Sequence, residues 1–304
     1  MDAPRTNTDT VRIALAQMRV QPDAAANLQA ALRALEQAAA QGARLVCLPE
    51  LFRTPYFCQT QDSANFALAE SIPSPTIDAI AVAARRHALV VICPVFERRA
   101  PGVYHNTAVV LDADGTQCGM YRKLHIPDDP HFNEKFYFTP GDLGVRAFDT
   151  AVGRIAVLIC WDQWFPEAAR LAALQGAFAT FYPTAIGWLP AEKARHGNEQ
   201  REAWRMVQRG HAIANGMYVA AVNRVGFEPA PDSRAGIEFW GSSFVADPLG
   251  ALIVDAPDNA AALLCADISS VRVERVRQEW PFLRDRRGDA YADLTRTFGL
   301  PCNQ

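Results

Sequence analysis

The sequence predicts an α/β fold with sheets of mixed direction, on three observations. Short apolar, β-prone runs alternate along the whole chain with longer stretches whose apolar residues recur at helical spacing. Tight-turn sequences such as Asp112-Ala113-Asp114-Gly115 join some neighbouring runs as hairpins, so the sheets cannot be purely parallel. No Gly-, Ser- or Pro-rich linker and no short repeat divides the 304 residues. That argues for a single domain over 1–304, with its core at about 11–283 and a C-terminal tail at 284–304.

Element by element, residues 11–17 alternate apolar and β-prone side chains and read as a first strand. Asn27, Leu28, Ala31, Leu32 and Leu35 share one face of a helix predicted over 22–41 and stopped by Gly42. A short apolar strand at 44–48 ends at Pro49-Glu50. A helix over 76–87, a strongly apolar strand over 89–96 and the hairpin strands 104–111 and 117–126 follow. Residues 127–144, dense in Pro, Gly, Asp and aromatics, are read as a loop. In the second half, strands are predicted at 145–148, 154–159, 178–182, 217–222, 241–246, 252–254 and 262–268. Helices are predicted at 168–176, at 271–279 and at 199–215, where Trp204, Val207, His211 and Ala214 share a face.

Composition narrows the function classes. With 30 Lys and Arg against 33 Asp and Glu, the formal charge is −3, and no broad basic footprint for nucleic acid is present. No run approaches the roughly 18 apolar residues of a membrane span. The polar residues 1–10 lack the apolar segment of a secretory signal. Cysteines at 47, 58, 93, 118, 160, 265 and 302 are odd in number and show no Cys-x-x-Cys spacing. That argues against a disulfide framework or a zinc site, and for a reducing cytoplasm. Cys47, Cys93 and Cys265 lie in apolar runs and read as small core residues.

Cys160 stands apart. It follows the apolar run Ile155-Ala156-Val157-Leu158-Ile159 and precedes a polar turn and a helix. A buried strand thus delivers a thiol to a sharp turn at its C-terminal end, where α/β folds place reactive groups. Glu50 follows Leu45-Val46-Cys47-Leu48-Pro49, and Lys123 lies in Met120-Tyr121-Arg122-Lys123-Leu124, each at or near a strand end. If those strands are neighbours in parallel sense, a carboxylate, an ammonium and a thiol converge at one edge. The carboxylate would take the thiol proton, and the ammonium would stabilise the anion formed as sulfur adds to a carbonyl. The backbone N–H of Trp161 would be a second donor. The reaction expected of such a trio is acyl transfer to the thiol, then hydrolysis. Taken one at a time, plainer readings stay open: a core cysteine, a helix-capping Glu50, a solvated Lys123.

The segments Leu48-Pro49-Glu50-Leu51, Tyr121-Arg122-Lys123-Leu124-His125-Ile126-Pro127 and Leu158-Ile159-Cys160-Trp161-Asp162-Gln163-Trp164-Phe165-Pro166-Glu167 resemble the three signatures of the nitrilase (carbon–nitrogen hydrolase) superfamily. The resemblance runs from about 11 to 283. It implies a four-layer α-β-β-α sandwich and no metal or organic cofactor. It also implies that Glu50 is the general base, Lys123 the oxyanion stabiliser and Cys160 the nucleophile. Asn133-Glu134-Lys135-Phe136-Tyr137-Phe138-Thr139-Pro140-Gly141-Asp142, Phe181-Tyr182-Pro183-Thr184-Ala185-Ile186-Gly187 and Phe57-Cys58-Gln59 resemble the N-carbamoylputrescine amidase branch. There Glu134 matches a second active-site glutamate that positions substrate and Lys123.

The substrate this resemblance implies is a small cationic carbamoyl compound, cleaved to putrescine, carbon dioxide and ammonia. A cation on an apolar tether needs aromatic walls and an acid at its end. Tyr56, Phe132 and Trp188 are the candidate walls and Asp128, Asp129 and Glu192 the candidate acids; Trp161, beside the nucleophile, is also expected to bind substrate. Two alternatives remain at this point: another carbamoyl or amide substrate, such as a β-ureido acid or an ω-amide, and a non-catalytic binding protein on the same fold. An acidic substrate would require Arg or Lys facing the pocket. The resemblance further implies a homodimer or larger homo-oligomer, with 164–174 and 204–215 as candidate surfaces and an aromatic tail, 280–298, packed on a partner or on its own subunit.

Overall fold

A computed structural model describes residues 10–231 and 235–297. The expectations for residues 1–9, for Cys302 and for the tail beyond 297 lie outside the described residues. The first half of the chain supplies strands β1 (Val11–Gln17), β2 (Leu45–Cys47), β3 (Val90–Ala100), β4 (Val103–Leu111) and β5 (Gln117–Arg122), with helices α1 (Ala24–Ala40), α2 (Pro75–His87) and α3 (Glu134–Tyr137). The second half supplies β6 (Ala147–Thr150), β7 (Gly153–Val157), β8 (Ala179–Thr184), β9 (Gly187–Trp188), β10 (Tyr218–Asn223), β11 (Val225–Pro229), β12 (Gly236–Trp240), β13 (Phe244–Ala246), β14 (Leu252–Asp255) and β15 (Ala262–Ile268). Its helices are α4 (Pro166–Leu174), α5 (Pro190–Asn215) and α6 (Ser270–Glu279).

Two six-stranded sheets form, in the orders β15-β1-β2-β3-β4-β5 and β14-β13-β10-β8-β7-β6. Both have one plan. A parallel trio, β1-β2-β3 or β7-β8-β10, is flanked by antiparallel strands. Because β5 is antiparallel to β4, and β4 to β3, β5 runs in the direction of β2. The C-terminal ends of β2 and β5 therefore lie at the same edge, and Glu50 and Lys123 follow those ends.

Alternation along the strands builds the layers. Ile13 and Leu15 of β1, Leu45 and Cys47 of β2, and Val90 and Ile92 of β3 face the second sheet and pack with Ile155, Val157, Phe181 and Val219. Their neighbours Ala14, Ala16, Val46, Val91 and Cys93 face outward onto Leu35 and Ala38 of α1 and Ile77 and Ile80 of α2. Ala168, Ala169 and Ala172 of α4 and Trp204 and Ala212 of α5 cover the outer face of the second sheet. The result is the α-β-β-α sandwich. Asp23 and Ser74 cap α1 and α2 by accepting from Ala25 N–H and Ile77 N–H, which explains where those helices start.

Four differences from the sequence reading matter for the site. Strand β5 stops at Arg122, not 126, because the chain turns away after Lys123, whose N–H still reaches the Asn106 carbonyl at 2.9 Å. The stretch read as a loop contains the helical turn α3, which carries Glu134. Helix α5 begins at Pro190, not 199, with Pro at its first turn. Its early part was masked by Gly197, a poor helix former. That glycine is buried because the Trp188 indole N–H donates to its carbonyl at 2.9 Å, and a Cβ there would meet the indole at 3.3 Å. Finally, β11, β12 and β9 form a separate three-stranded sheet that the sequence reading lacks, since Glu228 and Pro229 break the apolar pattern.

Candidate active site

Beyond β7 the chain passes through Leu158 and Ile159 into a 3-10 turn, Cys160–Trp164, and Cys160 itself sits at φ +44°. That left-handed backbone is sparsely populated by non-glycine residues and costs on the order of 1 kcal/mol or more. It throws the side chain off the strand line. The thiol is buried and donates to the Ala185 carbonyl at 3.9 Å. Glu50 leaves β2 beside a second left-handed residue, Leu51 (φ +49°). Arg224, wholly buried at the end of β10, clamps this bend by donating to the carbonyls of Glu50 and Leu51, both at 2.8 Å. It also pairs with Glu228 at 2.8 Å, and Glu228 accepts from Tyr56 N–H at 2.7 Å.

Lys123 is the hub. Its ammonium, wholly buried, donates to Glu50 Oε1 at 2.8 Å and to Glu134 Oε2 at 2.6 Å. Asn106 also donates to Glu50 Oε1, at 2.6 Å, and Tyr56 OH donates to Glu134 Oε1 at 2.7 Å. Glu50 Oε2 is buried and has no hydrogen-bond partner, so one carboxylate oxygen is left to accept a proton. Of the three ammonium protons, two are engaged and one is left over.

The electrostatics follow from burial and charge. Burial alone would pull the Lys123 ammonium down, but the charges of Glu134 and Glu50 reverse that and hold it well above the usual lysine range. Burial pushes the Cys160 thiol well up, Glu50 adds to this, and Lys123 opposes it. Glu134 is pushed up to about 7, first by burial, with Lys123 pulling the other way and Glu50 reinforcing. The resting thiol is therefore protonated, and it needs a base at the moment of attack.

A cavity of about 380 Å³ opens over the thiol. Cys160 and Glu134 are buried at its inner end. Trp161, Trp164, Phe132, Leu189 and Trp240 give it an apolar lining. The charged residues among its described lining are Asp129, Glu134 and Glu192; no lysine or arginine is among them. Among the described residues, no group of three or more His, Cys, Asp or Glu is arranged to hold a metal ion.

The structure thus brings Glu50, Lys123, Glu134 and Cys160 together, and places Trp161, Phe132, Asp129 and Glu192 on the cavity. Three expected substrate contacts are not on it. Tyr56 lies behind Glu134, with its hydroxyl spent on that carboxylate and its ring tilted against Phe132 at 5.5 Å. Trp188 is buried under α5, its N–H taken by Gly197 and its ring covered by Lys193 at 4.8 Å. Asp128 is exposed and is absent from the lining, where its neighbour Asp129 stands. Asn106, Asp162 and Arg224, which brace the site, escaped sequence reasoning. Each acts through hydrogen bonds to residues far away in the chain, although the lone charge in the apolar run ending at Arg224 was a visible signal.

A sequence model of the carbon–nitrogen hydrolase family matches residues 12–278. The chain belongs to the carbon–nitrogen hydrolases. It is 42% identical over 275 residues to N-carbamoylputrescine amidase of Arabidopsis thaliana, covering 90% of this chain and 91% of the plant protein. It is 37% identical over 289 residues to citrullinase of Francisella tularensis, covering 95% of this chain and 99% of that protein. A carbon–nitrogen hydrolase from Helicobacter pylori G27 superposes with a TM-score of 0.92 at 44% identity, covering 95% of this chain and all of that one (100%). In a carbon–nitrogen hydrolase, a thiol on an apolar cavity with a buried Glu-Lys pair beside it can carry acyl transfer from nitrogen to sulfur and then to water.

Proposed function

We propose that the enzyme hydrolyses N-carbamoylputrescine to putrescine, carbon dioxide and ammonia. The observation that carries this reading is the cavity: Cys160 and Glu134 stand on it, Lys123 bridges Glu134 to Glu50 beneath it, and its charged described lining is entirely carboxylate. A substrate with a cationic tail meets attraction there. A β-ureido acid or an ω-amide of a dicarboxylic acid would bring its own carboxylate against Asp129 and Glu192 with no described lysine or arginine to receive it. The likeness to the plant N-carbamoylputrescine amidases supports the same substrate.

In the reaction, Cys160 Sγ attacks the carbamoyl carbon while the free oxygen of Glu50 takes the thiol proton. The oxyanion is met by the remaining Lys123 proton and by the Trp161 N–H at the start of the 3-10 turn. Collapse breaks the bond to the amine of putrescine, which leaves with the proton from Glu50. A carbamoyl thioester remains on Cys160. Water then attacks the thioester carbon while giving a proton to Glu50, the C–S bond breaks with return of that proton to the Cys160 sulfur, and the carbamic acid released falls apart to carbon dioxide and ammonia. Urea-type carbonyls are poor electrophiles, so a fixed ammonium in a dry site is worth more here than neutral donors.

Ammonia release from N-carbamoylputrescine, compared with N-carbamoyl-β-alanine and a neutral alkylurea, tests the reading. The cationic substrate should have the highest kcat/KM, and Cys160→Ala should be inert. Glu192→Gln or Asp129→Asn should raise KM for the cationic substrate about tenfold, equivalent to roughly 1.4 kcal/mol, and leave the alkylurea unchanged. Preference for the acidic substrate would overturn it.

The same reading includes a homo-oligomer in a reducing cytoplasm. Leu171 and Leu174 of α4 and Met206 and Ile213 of α5 are exposed apolar residues on the faces expected to associate, and the six described cysteines are all free. No described helix is long and apolar enough to cross a membrane. Size-exclusion chromatography with light scattering measures the stoichiometry; a monomer at micromolar concentration would rule out the association.

A further inference from the structure

Asp162 lies just past the nucleophile, is wholly buried, and does not line the cavity. A carboxylate has about four lone-pair positions, and here four donors fill them. Oδ1 accepts from the His125 backbone N–H at 3.0 Å and from His125 Nδ1 at 2.7 Å. Oδ2 accepts from the Tyr121 hydroxyl at 2.7 Å and from the Ile159 N–H at 2.9 Å. The identity of the donors is what matters. Tyr121 and His125 stand on either side of Lys123, and Ile159 immediately precedes Cys160. One side chain therefore joins the segment that supplies the ammonium to the turn that supplies the thiol, although the two come from different sheets. The far end of the turn is held to the same segment: Phe165 stacks on the His125 ring at 3.7 Å and 6°.

We propose that Asp162 is a positioning residue for the hydrolysis, setting the Lys123 ammonium against the Cys160 sulfur so that the oxyanion forms within the ammonium's reach. This rests on Cys160 as nucleophile and Lys123 as oxyanion donor. It goes beyond a fold-holding role because it specifies which kinetic constant responds. Substrate docks on the cavity walls, and none of the hydrogen-bond partners of the Asp162 carboxylate lines the cavity. Misalignment between sulfur and ammonium weakens only the transition state, and a displacement near 1 Å costs on the order of 10²-fold. The four-donor arrangement also requires an acid and not its amide. In Asp162→Asn the Nδ2 would face donors; a tyrosine hydroxyl can turn to accept, but a backbone N–H cannot.

The test uses Asp162→Asn and the milder Tyr121→Phe, which deletes one of the four hydrogen bonds to the carboxylate and, with it, the longer one that the hydroxyl accepts from the Leu124 N–H at 3.3 Å. Steady-state constants with N-carbamoylputrescine, the iodoacetamide alkylation rate of Cys160 followed by peptide mass spectrometry, and thermal melting are measured on the full chain. Expected are a fall of about tenfold or more in kcat and in alkylation rate for Asp162→Asn, KM within about twofold, and a smaller loss of the same kind for Tyr121→Phe. The proposal is overturned if kcat and alkylation match the wild type, or if KM rises while kcat holds. Should Asp162→Asn fail to fold, Tyr121→Phe decides by the same criteria. Should the wild type release no ammonia from N-carbamoylputrescine, the substrate reading fails, while the alkylation rates still judge Asp162.

Discussion

Tyr56 and Glu134 form a buried hydrogen bond: the phenol donates to Glu134 Oε1 at 2.7 Å while Lys123 holds the other oxygen. The pair explains how a carboxylate can stay useful in a water-poor recess. Burial raises Glu134 to about 7, and the charge of Lys123, with the bonds from Lys123 and Tyr56, stops it rising further.

From this follows a pH dependence. Glu134 holds Lys123 as an anion, so kcat/KM should fall as pH drops through about 7 and the carboxylate takes up a proton. Tyr56→Phe removes a bond that favours the charged form, so the acid limb should move to higher pH. A pH–rate profile of wild type and variant checks both; a midpoint that moves down would contradict the assignment.

The thiol gives a second, opposite-sided expectation. Burial, reinforced by Glu50, disfavours the Cys160 thiolate. Peptide-resolved alkylation of Cys160 should therefore show its inflection above the ordinary thiol value of about 8.5. Lys123→Met removes the charge that pulls the thiol down, so the inflection should climb further. An inflection near 6 would mean a preformed thiolate, and Glu50 would not be needed for attack.

Arg224 offers a separable test of the Glu50 bend. Arg224→Lys keeps a positive charge by Glu228 but cannot span the Glu50, Leu51 and Thr54 carbonyls as the guanidinium does. The expected outcome is a fall in kcat of about tenfold with melting little changed, read by steady-state kinetics and calorimetry. Wild-type kcat would remove Arg224 from the list of braces.

Gly141 predicts a packing defect. Its N–H donates to the Lys123 carbonyl at 2.8 Å, and a Cβ placed on it would stand 2.1 Å from the Arg122 carbonyl oxygen. Gly141→Ala should cost about 1–3 kcal/mol of stability and displace the Lys123 strand end. Urea unfolding gives the first quantity; unchanged stability would show that the loop gives way freely.

Much of this site could be read in the sequence because its reacting groups break apolar strands at their ends. Glu50 and Cys160 follow runs whose burial is obvious, but their strands are not the parallel neighbours expected: β3 and β4 separate β2 from β5, β7 belongs to the other sheet, and the ends meet across the two packed sheets. The strand pattern likewise located strands of both main sheets, β1 and β15 at their full length, while the division into two packed sheets came from the resemblance. What escaped has one cause: dependence on partners remote in the chain. Asp162 reads as an ordinary turn acid until Tyr121 and His125 are seen to reach it. Tyr56 and Trp188 sit near signature residues, but closeness in sequence does not say which side of Glu134 or of α5 a ring will occupy. The N-terminal turns of α5 were hidden by Gly197, whose missing side chain is explained only by the indole packed on it.

The proposed reacting groups come from opposite halves of the molecule: Glu50 and Lys123 follow strands of one sheet, Cys160 a strand of the other. Neither half alone holds a competent centre. During refolding, recovered turnover should thus report the mating of the two walls and lag behind recovery of the far-ultraviolet dichroism. Catalysis becomes a clock for the last large assembly step, and a chain that regained its strands and its activity in one phase would show that the halves never form apart.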